Sequence, residues 1–290
     1  MNLVEKVTRK SLKIRPSGRS TDFISPSFGH GCLYNCGYCY MKRHKPEGLS
    51  IAKNTMDILT EINSHVWFAD VEKPNQTHPD YITYDISCNE DFALHAKYHD
   101  WKTIFQFFKD HPLAMGSFAT KYVNKDFLDF SPKGKIRIRF SLMPEEYREI
   151  LEPNTSTIYN RLRNVEFFID AGYEVHLNFS PVIVYDNWLD DYKALFDLVD
   201  AYSSIYRWNN ESVKAEVIFL THNKDKHEYN KKNGILGEEI LWNPSIQESK
   251  TSEFGGRNIR YKTGCKSKYI EEFRTLHDSI LPWNNIRYIF

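Results

Sequence analysis

Residues 30–40 read His-Gly-Cys-Leu-Tyr-Asn-Cys-Gly-Tyr-Cys-Tyr, which puts Cys32, Cys36 and Cys39 in a Cys-x3-Cys-x2-Cys spacing. Thiolates this close on a glycine-containing loop can converge on one soft metal centre. A cubane cluster has four irons, so three cysteines leave one iron open to a small molecule. Zinc is the competing reading, with His30 or His44 as a fourth ligand. Three buried thiols without metal are the plainest alternative, and the spacing favours iron–sulfur over both.

The chain around this loop sets the fold class. Candidate strands are Asp22–Phe28, Tyr81–Ser87, Leu113–Phe118, Ile136–Phe140, Glu174–Phe179 and Ala215–Leu220. Helical patterns fall between them, at Leu49 to about Val71, His99–Lys109, Ser156–Ala171 and Trp188–Ala201. In the third, Ser156 is the expected cap, Ile158, Leu162, Val165 and Ile169 share a face, and Gly172 is the stop. Strands alternating with helices predict a parallel sheet, either a partial or full β/α barrel or an open doubly wound sheet. In all of these, chemistry gathers at the C-terminal ends of the strands.

Three segments are expected: a polar arm over 1–20 with little packing of its own, a barrel over 21–222, and an extension over 223–290 packed on it. Within the extension, residues 223–261 read as polar loop, followed by a helix near Lys268–Ile280 and a strand near Ile286–Phe290.

Composition narrows the function. Of 290 residues 41% are apolar, enough for a substantial core, and 15% are aromatic, which could fill that core or stack on planar ligands. Lys plus Arg and Asp plus Glu both number 38, so the chain is not a general polyanion binder. No stretch approaches the ~20 apolar residues of a membrane span, and the N-terminal residues show no secretory pattern. A cytoplasmic location is expected, where five cysteines are metal or catalytic candidates before they are disulfides.

Cys-x3-Cys-x2-Cys with an aromatic before the last cysteine resembles the radical SAM superfamily. More narrowly, the chain resembles the spore photoproduct lyase family. The resemblance rests on Gly31–Tyr40, Ser87-Cys88-Asn89-Glu90-Asp91, Thr120-Lys121, Arg139-Phe140-Ser141, Glu152-Pro153-Asn154-Thr155-Ser156, Ala171-Gly172-Tyr173, Ser180-Pro181-Val182-Ile183 and Leu220-Thr221-His222. It implies a partial (β/α)6 barrel, its mouth closed by the C-terminal α/β extension. It implies a [4Fe–4S] cluster on Cys32, Cys36 and Cys39 that binds S-adenosylmethionine (SAM), and reductive cleavage to a 5′-deoxyadenosyl radical. The implied activity is lyase repair of a thymine photoproduct, with DNA or a thymine-derived nucleotide as partner and flavodoxin or ferredoxin as electron donor.

Site roles follow by motif position. Lys121 and Ser141 are the implied SAM contacts, with Asp91 near them and the Pro181–Ile183 backbone, including Val182 and Ile183, against the adenine. Cys88 is the implied hydrogen donor to the product radical, and Tyr38 and Tyr40 the implied radical relay. On the residues alone Cys88 reads as a small buried hydrophobe, the tyrosines as loop packing, and Cys265 as an incidental thiol.

Asn89 and Glu90 stand where the family pattern has small hydroxyl residues, and Glu253 where it tends to be basic. A carboxylate beside the substrate pocket is unwelcome to DNA phosphate. These positions motivate a second reading, a radical SAM enzyme for another modified thymidine, nucleobase or small molecule. A zinc-stabilised nucleic-acid-binding module is the third. For DNA contact, Lys250, Arg257, Arg260, Lys262, Lys266 and Lys268 offer a basic stripe, or simply a solvated face. Trp242, Phe254 and Tyr261 are candidate rim aromatics.

Overall fold

The computed structural model describes residues 3–45, 47–68, 72–251 and 257–290. Glu253 and Phe254 lie outside the described residues.

The strands are β1 (Val4–Val7), β2 (Arg15–Pro16), β3 (Phe23–Ile24), β4 (Gly29–Gly31), β5 (Leu49–Ala52), β6 (Ile82–Asp85), β7 (Ala114–Thr120), β8 (Ile136–Leu142), β9 (Glu174–Val182), β10 (Val213–Phe219), β11 (His222–Asn223), β12 (Gln247–Thr251), β13 (Arg257–Tyr261) and β14 (Ile286–Ile289). The helices are α1 (Met41–His44), α2 (Thr55–Phe68), α3 (Phe92–His95), α4 (Trp101–Asp110), α5 (Glu145–Leu151), α6 (Ile158–Asp170), α7 (Trp188–Tyr206), α8 (Lys224–Lys232), α9 (Glu238–Leu241) and α10 (Thr263–Ile280).

One eight-stranded sheet runs β14-β10-β9-β8-β7-β6-β3-β2. From β3 to β10 each strand of this sheet neighbours the one that precedes it among the sheet's strands, β4 and β5 lying in another sheet, and the β3–β6, β6–β7 and β7–β8 pairs are parallel. That order is a β/α barrel's; a doubly wound sheet would reverse direction at a switch point. The open alternative from the sequence is thereby settled in favour of the partial barrel.

The chain divides into two compact units. The first comprises Met1–Leu33, Lys45–Phe140 and Asn164–His176. Its core is aromatic: Phe92 stacks on Phe105, and Trp101, Phe118, Phe127 and Tyr173 close around Phe105. The second comprises Tyr34–His44, Ser141–Arg163 and Leu177–Phe290. There Phe273 of α10 meets Trp188, Tyr192 and Phe196 of α7. Much of the high aromatic content therefore fills cores.

Several expectations need correction. Leu49–Ala52 is a strand, not the start of a helix. It is fully buried between β1 and β4, and the helix begins only at Thr55. The N-terminal residues are thus packed, with Val4–Val7 in register against Leu49–Ala52. Helix α6 starts at Ile158, and Thr157, not Ser156, caps it by accepting from the Asn160 N–H. Residues 223–261 are not a loop. They form α8, α9 and an antiparallel sheet of order β11-β13-β12. The sequence hides this because α8 (KDKHEYNKK) buries Lys226 and Asn230 rather than apolar side chains. Among the described residues no helix is long and apolar enough to cross a membrane.

Candidate active site

In the first unit, the start of the cysteine loop is fastened to the segment after β6. Gly31 N–H donates to Asn89 O at 3.0 Å, and Leu33 N–H donates to His95 Nε2 at 3.2 Å. Gly31 has φ +104° and an added Cβ would lie 2.5 Å from Gly48 O, so only glycine fits this entry to the loop. Asn89 also donates to Ser27 Oγ. The Ser87–Glu90 turn holding Cys88 is therefore bonded to the residue just before Cys32. Cys88 is half-buried.

Glu90 corrects the sequence reading. Its side chain is fully buried, and Oε2 lies 2.9 Å from both His95 Nδ1 and His99 Nε2 rather than open to solvent. His95 Nε2 accepts from Leu33, so Nδ1 carries the proton and donates to Glu90. Burial pushes the Glu90 pKa up, but His99 and His95 outweigh it and hold the carboxyl at about 2.

Asp91 caps α3 through the Leu94 N–H at 3.1 Å and accepts from Thr120 Oγ1 at 2.7 Å and Lys121 N–H at 2.8 Å. Its oxygens are engaged within the protein. They fix the backbone of Lys121, the implied SAM contact, at the end of β7.

In the second unit, the Tyr38 hydroxyl donates to Glu152 Oε1. Glu152 is completely buried and its Oε2 meets Arg161 Nη2 at 3.0 Å. Arg161, also buried, donates to Ser141 O, Thr155 Oγ1 and Ser156 O. Burial, then the Glu152 carboxylate, raises the Tyr38 pKa well above that of free tyrosine. Tyr40 is exposed, edge-on to His44. Gly37 N–H donates to Leu151 O at 2.8 Å, and Asn230 Nδ2 donates to Gly37 O at 2.8 Å. Lys226 of α8 is buried; burial lowers its pKa, against the opposing pull of Cys39.

Ser141, Val182 and Ile183 are buried at strand ends of this unit. Asn178 Nδ2 lies 3.4 Å from Ser141 Oγ. After the cis Ser180–Pro181 bond, Val182 O accepts from Leu220 N–H, and Val184 N–H donates to the Tyr261 hydroxyl. Tyr261 is thus a buried part of this segment, not a rim aromatic.

The three cysteines of the loop are outside any disulfide among the described residues, two buried and one half-buried, and supply soft donors within eight consecutive residues, 32–39. That donor set fits a cluster with one iron left open. Sequence reasoning passed over Arg161, His95 and His99 as structural members, and quoted Glu152 without a role. The available signal was a run of ionisable residues at turn and helix starts beside quoted motifs.

An open β/α barrel with this cysteine loop after its first strand is the architecture of radical SAM enzymes. The spore photoproduct lyase family matches residues 2–290, and the chain belongs to that family. The curated relatives include spore photoproduct lyase of Bacillus subtilis (strain 168), 27% identical over 198 residues, covering 67% of this chain and 55% of the relative. The one from Geobacillus sp. (strain Y412MC61) is 26% identical over 193 residues, 65% of this chain and 54% of the relative. The chain thus spans about half the length of these relatives. Among solved structures, a cysteine-to-alanine mutant of spore photoproduct lyase with dinucleoside spore photoproduct superposes with TM-score 0.85. It is 20% identical, over 99% of this chain and 81% of the other. A double mutant with bound AdoMet and the same dinucleoside gives TM-score 0.85 at 19% identity, over 99% and 82%. These likenesses establish the partial-barrel fold.

Proposed function

We propose that the chain is a spore photoproduct lyase that repairs a thymine photoproduct in DNA, using SAM and a [4Fe–4S] cluster held by Cys32, Cys36 and Cys39. Cluster and SAM together would supply a carbon radical strong enough to abstract hydrogen from the substrate. The protein's own groups do the rest. Cys88 gives its S–H hydrogen to the product radical once the C–C bond between the thymines has broken. A new C–H bond forms and a thiyl remains. Tyr38 and Tyr40 are the proposed relay that returns a hydrogen atom to sulfur, the phenolic O–H breaking as the S–H re-forms and a tyrosyl radical remaining, and the Glu152 carboxylate holds the Tyr38 hydroxyl in place for it. Lys121, its backbone fixed by Asp91, and Ser141, its carbonyl fixed by Arg161, are the proposed SAM contacts, with Val182 and Ile183 against the adenine. A flavodoxin or ferredoxin is the proposed electron donor, and the cytoplasm the proposed location.

The observation that carries the donor role is the Gly31–Asn89 bond, which ties the Cys88 turn to the cysteine loop. For the nucleic acid, the C-terminal stripe is largely spent. Lys250 pairs with Glu248, Arg257 with Asp225 and Lys268 with Glu272, and Lys262 donates to Ser245 O. A better phosphate site is a cavity of about 310 Å³ in the first unit, lined by Arg9, Lys13 and Arg15 with Ser11, Ser25 and Ser27. Arg9 is fixed there by bonds to Ser27 O and Ser50 O, while Lys13 and Arg15 are exposed. Burial of Glu90 removes one motive for a different substrate.

The test is anaerobic. The chain is reconstituted with iron and sulfide, then given dithionite, SAM and dinucleoside spore photoproduct, and thymine product and 5′-deoxyadenosine are followed. Substrate-dependent repair is expected, and Cys88→Ala should keep SAM cleavage while diverting product to side adducts. Deoxyadenosine without repair would overturn the substrate. Unchanged product from Cys88→Ala would overturn the donor.

A further inference from the structure

His222 ends the family-matching Leu220-Thr221-His222 stretch in β11, His227 lies in the first turns of α8, and Glu238 opens α9. Their ligand atoms lie within 4.8 Å of one another. His222 Nε2 is 2.9 Å from Glu238 Oε1, and His227 Nδ1 contacts the same oxygen. We propose that His222, His227 and Glu238 form a second metal site, taking one divalent zinc-class cation apart from the cysteine loop.

Four features support it. The donors are two imidazoles and one carboxylate, a three-ligand set that zinc accepts with a fourth position left for water. His222 and Glu238 are buried, whereas His227 is partly exposed, which leaves a route to that fourth position. Among the described residues nothing bonds to His222 Nδ1, so the ring proton can move there and free Nε2 for a metal, and Asn230 Oδ1 is likewise buried without a partner among them. Buried polar atoms are rarely left so, and an ion or its water is one ordinary remedy. Finally, α8 packs almost no apolar side chain and α9 has only four residues, so hydrophobic burial does little to hold the elements that present the ligands. A metal joining β11, α8 and α9 supplies the missing staple.

The site has a consequence for the loop. Glu238 Oε2 accepts from Asn230 Nδ2, which also donates to Gly37 O between Cys36 and Cys39. An occupied site would fix Glu238, hence Asn230, hence the carbonyl of Gly37.

The experiment uses the full chain and a variant with Cys32, Cys36 and Cys39 all changed to Ala, so that loop thiolates cannot bind zinc. Each is equilibrated with zinc, desalted and analysed for metal. About one zinc per chain is expected in the triple variant, with a raised thermal midpoint. His227→Ala or Glu238→Gln in that background should weaken zinc binding by roughly a hundredfold. Should those changes unfold the chain, cobalt replaces zinc in the triple variant, and visible bands of a nitrogen–oxygen site without sulfur charge transfer are expected. Trace zinc only, zinc undiminished by His227→Ala, or a sulfur-type cobalt spectrum from Cys88 or Cys265 would each overturn the site. None of these outcomes bears on the lyase reading, since the variant cannot carry the cluster.

Discussion

Replacing Glu90 by Gln keeps the shape of the side chain and removes the charge that His95 and His99 surround. The native carboxyl is held at about 2 against an ordinary 4.5. A shift of about 2.5 units corresponds to about 3 kcal/mol of preference for the ionised form in the folded state. The folded pKa is depressed, so this stability is fully present above pH 4.5 and is lost as pH falls toward 2. In Glu90→Gln it is absent throughout. The variant should therefore unfold roughly 4–6 °C lower than the parent at pH 7, and the gap should narrow between pH 5 and pH 3. Thermal unfolding of the cluster-free chain at several pH values measures both. Because His95 also holds the Leu33 N–H, iron content after reconstitution should fall as well. A midpoint within about 1 °C of the parent at pH 7, or a gap independent of pH, would refute the reasoning. A Glu90 facing a substrate cation would instead leave stability alone and change only KM.

Tyr38→Phe leaves Glu152 Oε1 without its phenol and should cost about 1–2 kcal/mol in denaturant unfolding; in turnover, the ratio of 5′-deoxyadenosine to repaired product should rise. Asp91→Asn keeps an N-cap but sets an amide against the Lys121 N–H, so SAM affinity, read by equilibrium binding to the reconstituted chain, should weaken about tenfold with little loss of fold.

What the sequence revealed divides along physical lines. Strands β6 to β10 were legible because they are apolar runs between turn signals, and their order followed once parallel crossovers were assumed. The cysteine loop was legible from spacing alone. Leu49–Ala52 was misread because a short apolar run looks the same in a strand and a helix, and only its partners, Val4–Val7 and Gly29–Gly31, decide. Residues 223–261 were misread because their order comes from polar bonds, through Asn223, His222, Asn230 and Glu238. Glu90 was misjudged because a carboxylate near a motif reads as exposed unless two histidines five and nine residues on are seen to enclose it.

Those polar bonds share one task. The cysteine loop has little regular secondary structure between Cys32 and Tyr40, so side chains must satisfy part of its backbone. In the first unit Glu90 orients His95, which accepts from Leu33 N–H. In the second, Glu152 holds the Tyr38 hydroxyl, and Glu238 holds Asn230, which donates to Gly37 O. Three buried carboxylates would be costly if left bare. Each has partners that bond its oxygens: two histidines for Glu90, Arg161 for Glu152, and His222 with His227 for Glu238. Buried, hydrogen-bonded glutamates thus help hold the loop, and removing a bonding partner of any of the three should loosen it.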